Sequence, residues 1–191
     1  MRKEEAIKVV QPALTKERFD HTLRVAETAV KLADLYKVST EKMELAAIFH
    51  DYAKYRPLEE MKEIIVSSHL PNDLLDYHHE VWHGPVASVV VEEQFGIFDQ
   101  EIKDAIRYHT TGKTNFGTFE MVLFLADYIE PGRAFPGVEK VRNMAYEDLN
   151  HACLMVSHNT IQFLLSKNAT IYPDSIHAYN YFLTKLNGGF N

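Results

Sequence analysis

The chain has 191 residues, a net charge of −7, 46% hydrophobic and 25% charged residues, and a single cysteine, Cys153. An acidic balance disfavours general nucleic-acid binding, which selects for clustered Lys and Arg, and a lone cysteine builds no disulfide framework. The opening MRKEEAIKVV has acidic residues where a signal peptide needs an apolar core, and the longest apolar run, residues 121–126, is too short to span a bilayer; together these point to a cytoplasmic protein with neither nucleic acid nor membrane as partner.

A helical period dominates in chain order. TKERFDHTLRVAETAVKLADLYK places Phe19, Leu23, Ala26, Val30 and Ala33 on one stripe, with Thr15 as N-cap. Thr40 caps a second helix that runs to about Lys54, and Pro57 suits the first turn of a short third. Residues 67–82 are irregular and rich in turn formers. Gly84-Pro85 opens VASVVVEEQF, where the β-branched run is read as helix from its flanks. Asp99 caps QEIKDAIRYH, and TTGKTNFG is a loop. TFEMVLFLADYIE reads as a buried helix stopped by Pro131-Gly132, followed by the loop GRAFPG. One long helical pattern covers 138–167, NATIYPD breaks it, and SIHAYNYFLTKLN closes the chain. No alternating strand pattern, repeat or low-complexity linker is present. The expected fold is all-α, a single domain over 1–191 built as a bundle of about eight or nine helices.

Four residues in helical, apolar surroundings stand out: His21 in the first long helix, His50 and Asp51 at the end of LAAIF, and Asp127 after MVLFLA. A buried carboxylate is costly unless it is paired or binds a metal. Two imidazoles and two carboxylates on three helices suit a divalent transition ion such as iron, manganese or zinc, and facing helices can aim such ligands into a bundle core. Taken singly, each signal is ordinary: a buried His is usually only hydrogen-bonded, and an apolar run ending in Asp usually marks a helix reaching solvent. The weight lies in their order and context.

That order resembles the HD-domain phosphohydrolases, and more narrowly the bacterial YqeK family of symmetrical diadenosine tetraphosphate hydrolases. RFDHTLRV, IFHDYAK, HGPVAS, IRYHTTG, LADYIEPGR and IYPDSIHAYNYF occur in family order from Arg18 to about Phe182. The resemblance implies that His21, His50, Asp51 and Asp127 hold the metal, with iron as the ion. His83 and His109 match histidines that hold a second metal in some HD enzymes; contact with phosphate oxygens is the alternative. Their positions at a helix N-terminus and a helix end suit either role. The implied reaction is symmetrical hydrolysis of a dinucleoside polyphosphate to two ADP, with metal-bound water attacking an inner phosphate.

Lys54 is read on the same helical face as His50 and Asp51, and Arg133 follows the Asp127 helix; both can neutralise charge developing on phosphate. Arg18 shares a face with His21. Thr110 offers a hydroxyl, while Ile171 and Tyr172 line a nucleoside pocket in which Tyr172 stacks on a base. Trp82 is a packing anchor, His78-His79 a wet loop, and His69, His151, His158 and His177 fit no ligand pattern. The metal and phosphate motifs fall within 18–133, and the helices of 138–191 pack on that unit and complete the pocket. A homodimer is implied by the family. The other readings are an HD phosphohydrolase acting on nucleoside mono- or triphosphates or cyclic dinucleotides, and a non-catalytic nucleotide-sensing adaptor.

Overall fold

A computed structural model describes residues 1–188. Among them are ten α-helices, three short 3₁₀ turns and no strand. The α-helices are α1 (Lys3–Val10), α2 (Lys16–Leu35), α3 (Thr40–Phe49), α4 (Leu58–Ser67), α5 (His83–Phe95), α6 (Gln100–Tyr108), α7 (Thr118–Ile129), α8 (Val138–Ala145), α9 (Leu149–Ser166) and α10 (Pro173–Leu186). None is long and apolar enough to cross a membrane.

Local chemistry sets the boundaries. The Thr15 hydroxyl accepts from Arg18 N at 3.2 Å, and Asp99 accepts from Glu101 N and Ile102 N, so both expected caps are made. Pro131 cannot continue a helix, and α7 stops at Ile129. Its residues 119–126 are all buried, which makes α7 the central element. It packs on α2, α6, α8 and α9, while α2 also carries α3 and α6 joins α5.

Three expectations need correction. The second helix ends at Phe49 and not near Lys54, and its cap is Ser39, which accepts from Lys42 N. Beyond Phe49 the chain turns through three-residue hydrogen bonds, Tyr52 N to Phe49 O, Lys54 N to Asp51 O and Arg56 N to Ala53 O; with Pro57 next, the i→i−4 ladder cannot resume. The pattern over 138–167 is two helices, because Asp148 turns outward to cap α9 through His151 N. That break, with α1, raises the count to ten. The α2 stripe is also rotated: its buried face is Thr22, Val25, Ala26, Ala29, Leu32 and Ala33, while Phe19, Leu23 and Val30 are only partly covered.

Gly84 positions the site. A Cβ there would lie 2.9 Å from both Ile106 O and Arg107 O, so only glycine lets the start of α5 meet the end of α6, where His83 and His109 face each other. Gly84→Ala is expected to destabilise the protein by about 1–3 kcal/mol through overpacking against backbone, lowering Tm by roughly 2–12 °C in a thermal melt.

Candidate metal centre

The ends of α3, α6 and α7, the start of α5 and the second turn of α2 converge on one buried point. His21, His50, Asp51, His83 and His109 are each no more than 5% exposed. Every imidazole is held the same way. His50 Nδ1 donates to Ala47 O at 2.6 Å, His83 Nδ1 to Glu80 O at 2.7 Å and His109 Nδ1 to Ile106 O at 2.7 Å. His21 Nδ1 donates to Glu130 Oε1 at 3.1 Å. A carbonyl or ionised carboxylate can only accept, so in each neutral ring Nδ1 carries the proton and Nε2 presents a lone pair.

Those lone pairs point inward. His21 Nε2 lies 3.0 Å from Asp127 Oδ1, and His50 Nε2 lies 2.9 Å from Asp51 Oδ2. Yet His21 Nε2, His50 Nε2 and Asp51 Oδ1 are buried with no hydrogen-bond partner. One donor atom each from His21, His50 and Asp127, and from His50, Asp51 and His109, fall within 4.8 Å of one another. Buried acceptors converging without donors require a cation between them, and this nitrogen and oxygen set fits a divalent transition ion. His83 Nε2 and His109 Nε2 are 3.0 Å apart, a distance at which two lone pairs repel unless they share a proton or a cation. The electrostatics agree. Burial acts to raise the Asp51 and Asp127 carboxyls, but positive charge among the groups facing them, a proton on an imidazole at each and the Arg133 guanidinium at Asp127, prevails and holds both well below the usual carboxylate range, so both are ionised toward a cation that takes the proton's place. Burial pulls His109 down to about 3, so it stays neutral. At His50 burial acts downward and Asp51 outweighs it, giving a net upward shift.

A family model described as HD domain matches residues 18–132. The chain belongs to the HD-domain family. It is 47% identical over 184 residues to a Bacillus subtilis protein named symmetrical bis(5′-nucleosyl)-tetraphosphatase, covering 96% of this chain and 99% of the relative. A Halalkalibacterium halodurans protein of the same name is 49% identical, covering 96% of this chain and 98% of the relative. The crystal structure of an HD superfamily hydrolase from Clostridium acetobutylicum, described as involved in NAD metabolism, superposes with a TM-score of 0.90 at 36% identity over 95% of this chain and 97% of that one. Family and donor set together make the HD centre a divalent-metal site.

Around the HD centre the expected residues are placed unequally. Arg18 forks its Nε and a terminal nitrogen onto Asp51 Oδ2, so its partner is a carboxylate. Arg133 donates to Asp127 Oδ1 at 2.8 Å and to Asp127 O at 3.0 Å, with its side chain 31% exposed. Lys54 stands in the turn after α3, paired with Glu80; the shared helical face expected for it does not exist. The Thr110 hydroxyl lies 3.1 Å from His109 Nε2 and 3.5 Å from His83 Nε2. Tyr172 is buried, edge-on to Tyr77 at 5.0 Å, with its hydroxyl donating to Asp73 at 3.5 Å; Ile171 beside it is half-buried. Trp82 is a packing anchor, its indole N–H donating to Leu74 O at 2.7 Å. His69, His78, His79, His151, His158 and His177 are exposed, outside the centre.

Three residues escape the sequence reading. Glu130 is 1% exposed and accepts from His21 Nδ1, from Arg24 Nε at 2.6 Å and from Gly132 N at 2.5 Å. Burial works against its charge, but the Arg24 bond and the other donors hold its pKa at about 2. Glu130 thus orients the His21 ring, and Arg24 orients Glu130. Arg142 of α8 donates to Ile129 O at 2.7 Å, Glu130 O at 2.8 Å and Arg133 O at 2.7 Å, clamping the EPGR loop. Glu130 lies inside LADYIEPGR and Arg24 inside RFDHTLRV, which were their available signals; Arg142 carried none.

Proposed function

We propose that the protein hydrolyses diadenosine tetraphosphate and related dinucleoside polyphosphates symmetrically. Water adds to an inner phosphorus, the central P–O–P bridge breaks, and two ADP leave. The observation that carries this reading is the likeness, along nearly the whole chain, to relatives named for that activity.

In this reading His21, His50, Asp51 and Asp127 hold the ion, with iron as the resident metal and manganese or zinc as substitutes. When bound, the ion supplies a nucleophile near neutral pH and polarises a phosphoryl oxygen. Arg133 releases part of its hold on Asp127 to meet the phosphate chain, its planar fork suiting phosphate oxygens. Lys54, tethered by Glu80, adds positive charge opposite the leaving phosphate. Arg18 neutralises Asp51. His83 and His109 meet the phosphates from the α5–α6 side or carry a second ion, and Thr110 donates its hydroxyl to phosphate. Ile171 and Tyr172 bound one nucleoside. The protein works as a single HD domain over 1–191, its C-terminal helices completing the pocket, and as a cytoplasmic homodimer.

The test is incubation of metal-analysed protein with diadenosine tetraphosphate and chromatography of the products, with NAD and nucleoside triphosphates in the same panel. ADP as the sole nucleotide product is expected; ATP plus AMP overturns the symmetrical cut, and turnover of another substrate alone moves the activity elsewhere in the HD family. Light scattering tests the dimer.

A further inference from the structure

A symmetrical cut at the centre of a tetraphosphate leaves two equal arms, each ending in a purine. Tyr172 and its neighbours account for one. A second wall lies elsewhere: a groove of about 720 Å³ bounded by the loop after α7 and by the outer stripe of α9, within the usual size range of small-ligand sites. Neither Ile171 nor Tyr172 lines it.

We propose that this groove receives the second nucleoside of a dinucleoside polyphosphate, an inference that rests on the function proposed above. Three features argue for that occupant. Arg133 lines the groove while its guanidinium bonds Asp127 Oδ1, so a cation suited to an outer phosphate stands between the groove and the metal centre. Its walls are aromatic: Tyr128 and Phe135 stand edge to face with centroids 5.0 Å apart, and Phe163 at the rim is 60% exposed. The Lys167 ammonium lies 5.8 Å from the Phe163 ring centroid, and the rest of that solvent-exposed ring offers a face on which any base can stack. The uncharged polar groups are two amides, Asn159 and Gln162, and the hydroxyls of Thr160 and Ser166. Asn159 Nδ2 donates to the Tyr128 hydroxyl at 3.2 Å, and each amide still has an N–H donor and a carbonyl acceptor to offer a purine edge. Apart from Arg133 the wall is uncharged, and an uncharged polar wall between aromatics fits a nucleobase better than an acidic or strongly basic one would.

The experiment uses full-length, metal-loaded protein. The KM for diadenosine tetraphosphate is compared with the Ki of adenosine 5′-tetraphosphate, which has the same phosphate chain and one base. In Phe163→Ala the ratio of KM to Ki is expected to rise about tenfold, the loss of one stacking contact. Phe98→Ala, removing another surface aromatic (72% exposed), is expected to leave the ratio unmoved. Phe163 is exposed, so its truncation does not endanger the fold, and a melting curve checks that. An unchanged ratio in Phe163→Ala, or equal weakening of both ligands, overturns the groove as a nucleoside site. So does an altered mass in light scattering with an unchanged ratio, which identifies the groove as a contact with a second copy of the chain. If wild-type protein releases ADP and the ratio does not move, only the groove inference fails; if wild-type protein releases no ADP, both readings fail together.

Discussion

Replacing His50 with alanine is expected to abolish release of ADP from diadenosine tetraphosphate, by about 10³-fold or more, and to remove the bound metal. The size follows from the several kcal/mol a catalytic ion contributes to charge stabilisation, with each 1.36 kcal/mol worth tenfold in rate. His50 is fully buried, and the neighbouring rings of His21, His83 and His109 are each fixed through their own Nδ1, which opposes any of them swinging in to replace Nε2. Asp127→Asn is the companion variant, since it keeps the side-chain volume and an acceptor for Arg133 while removing one negative charge. Elemental analysis and product chromatography should show both variants losing metal and rate together, with helical circular dichroism retained. Full metal stoichiometry with wild-type turnover in either variant would sink the assignment of these residues as ligands.

The second large effect is expected from Glu130→Gln, which touches no ligand position. Glu130 acts only as an acceptor, facing His21 Nδ1, two nitrogens of Arg24 and Gly132 N. A glutamine of the same shape must turn its NH₂ group toward two of these donors, and the pair with the longer bonds is His21 Nδ1 at 3.1 Å and the second Arg24 nitrogen at 3.4 Å. With the His21 bond lost, the ring is free to rotate and its Nε2 is less basic. Metal affinity is expected to fall about 10–100-fold, the range seen when a residue supporting a metal-binding histidine is removed. Chelator competition measures this directly and without reference to activity. Unchanged affinity would mean that packing alone orients His21.

The sequence carried the centre because its signals are local. His50 and Asp51 close an apolar run, Asp127 closes another, and Asp99, Pro131 and Gly132 punctuate the helices that present them. What it hid is non-local or lacks a breaker. The His21–Glu130 and Arg24–Glu130 contacts join residues 109 and 106 positions apart, and no spacing rule reaches that far. The end of α3 is masked because residues 50–56 contain no glycine and turn tightly with helix-like composition, and the break after Ala145 because Tyr146 and Glu147 do not oppose a helix. The rotated face of α2 has a third cause: Thr22 and Thr28, polar by type, are buried, and Thr28 satisfies its hydroxyl through Arg24 O at 2.8 Å.

The clamp made by Arg142 bears on how the chain could be dissected. The region recognisable as HD stops at residue 132, and all four residues proposed to hold the ion lie inside it. The carbonyls of Ile129, Glu130 and Arg133 are nonetheless gathered by a side chain ten positions further on. A fragment cut at the recognisable boundary would keep the ligands but lose Arg133 and release the loop that aims Glu130. The smallest autonomous version of this centre therefore extends at least through α8, and transplanting the motif into another helical scaffold would require an equivalent guanidinium beneath that loop.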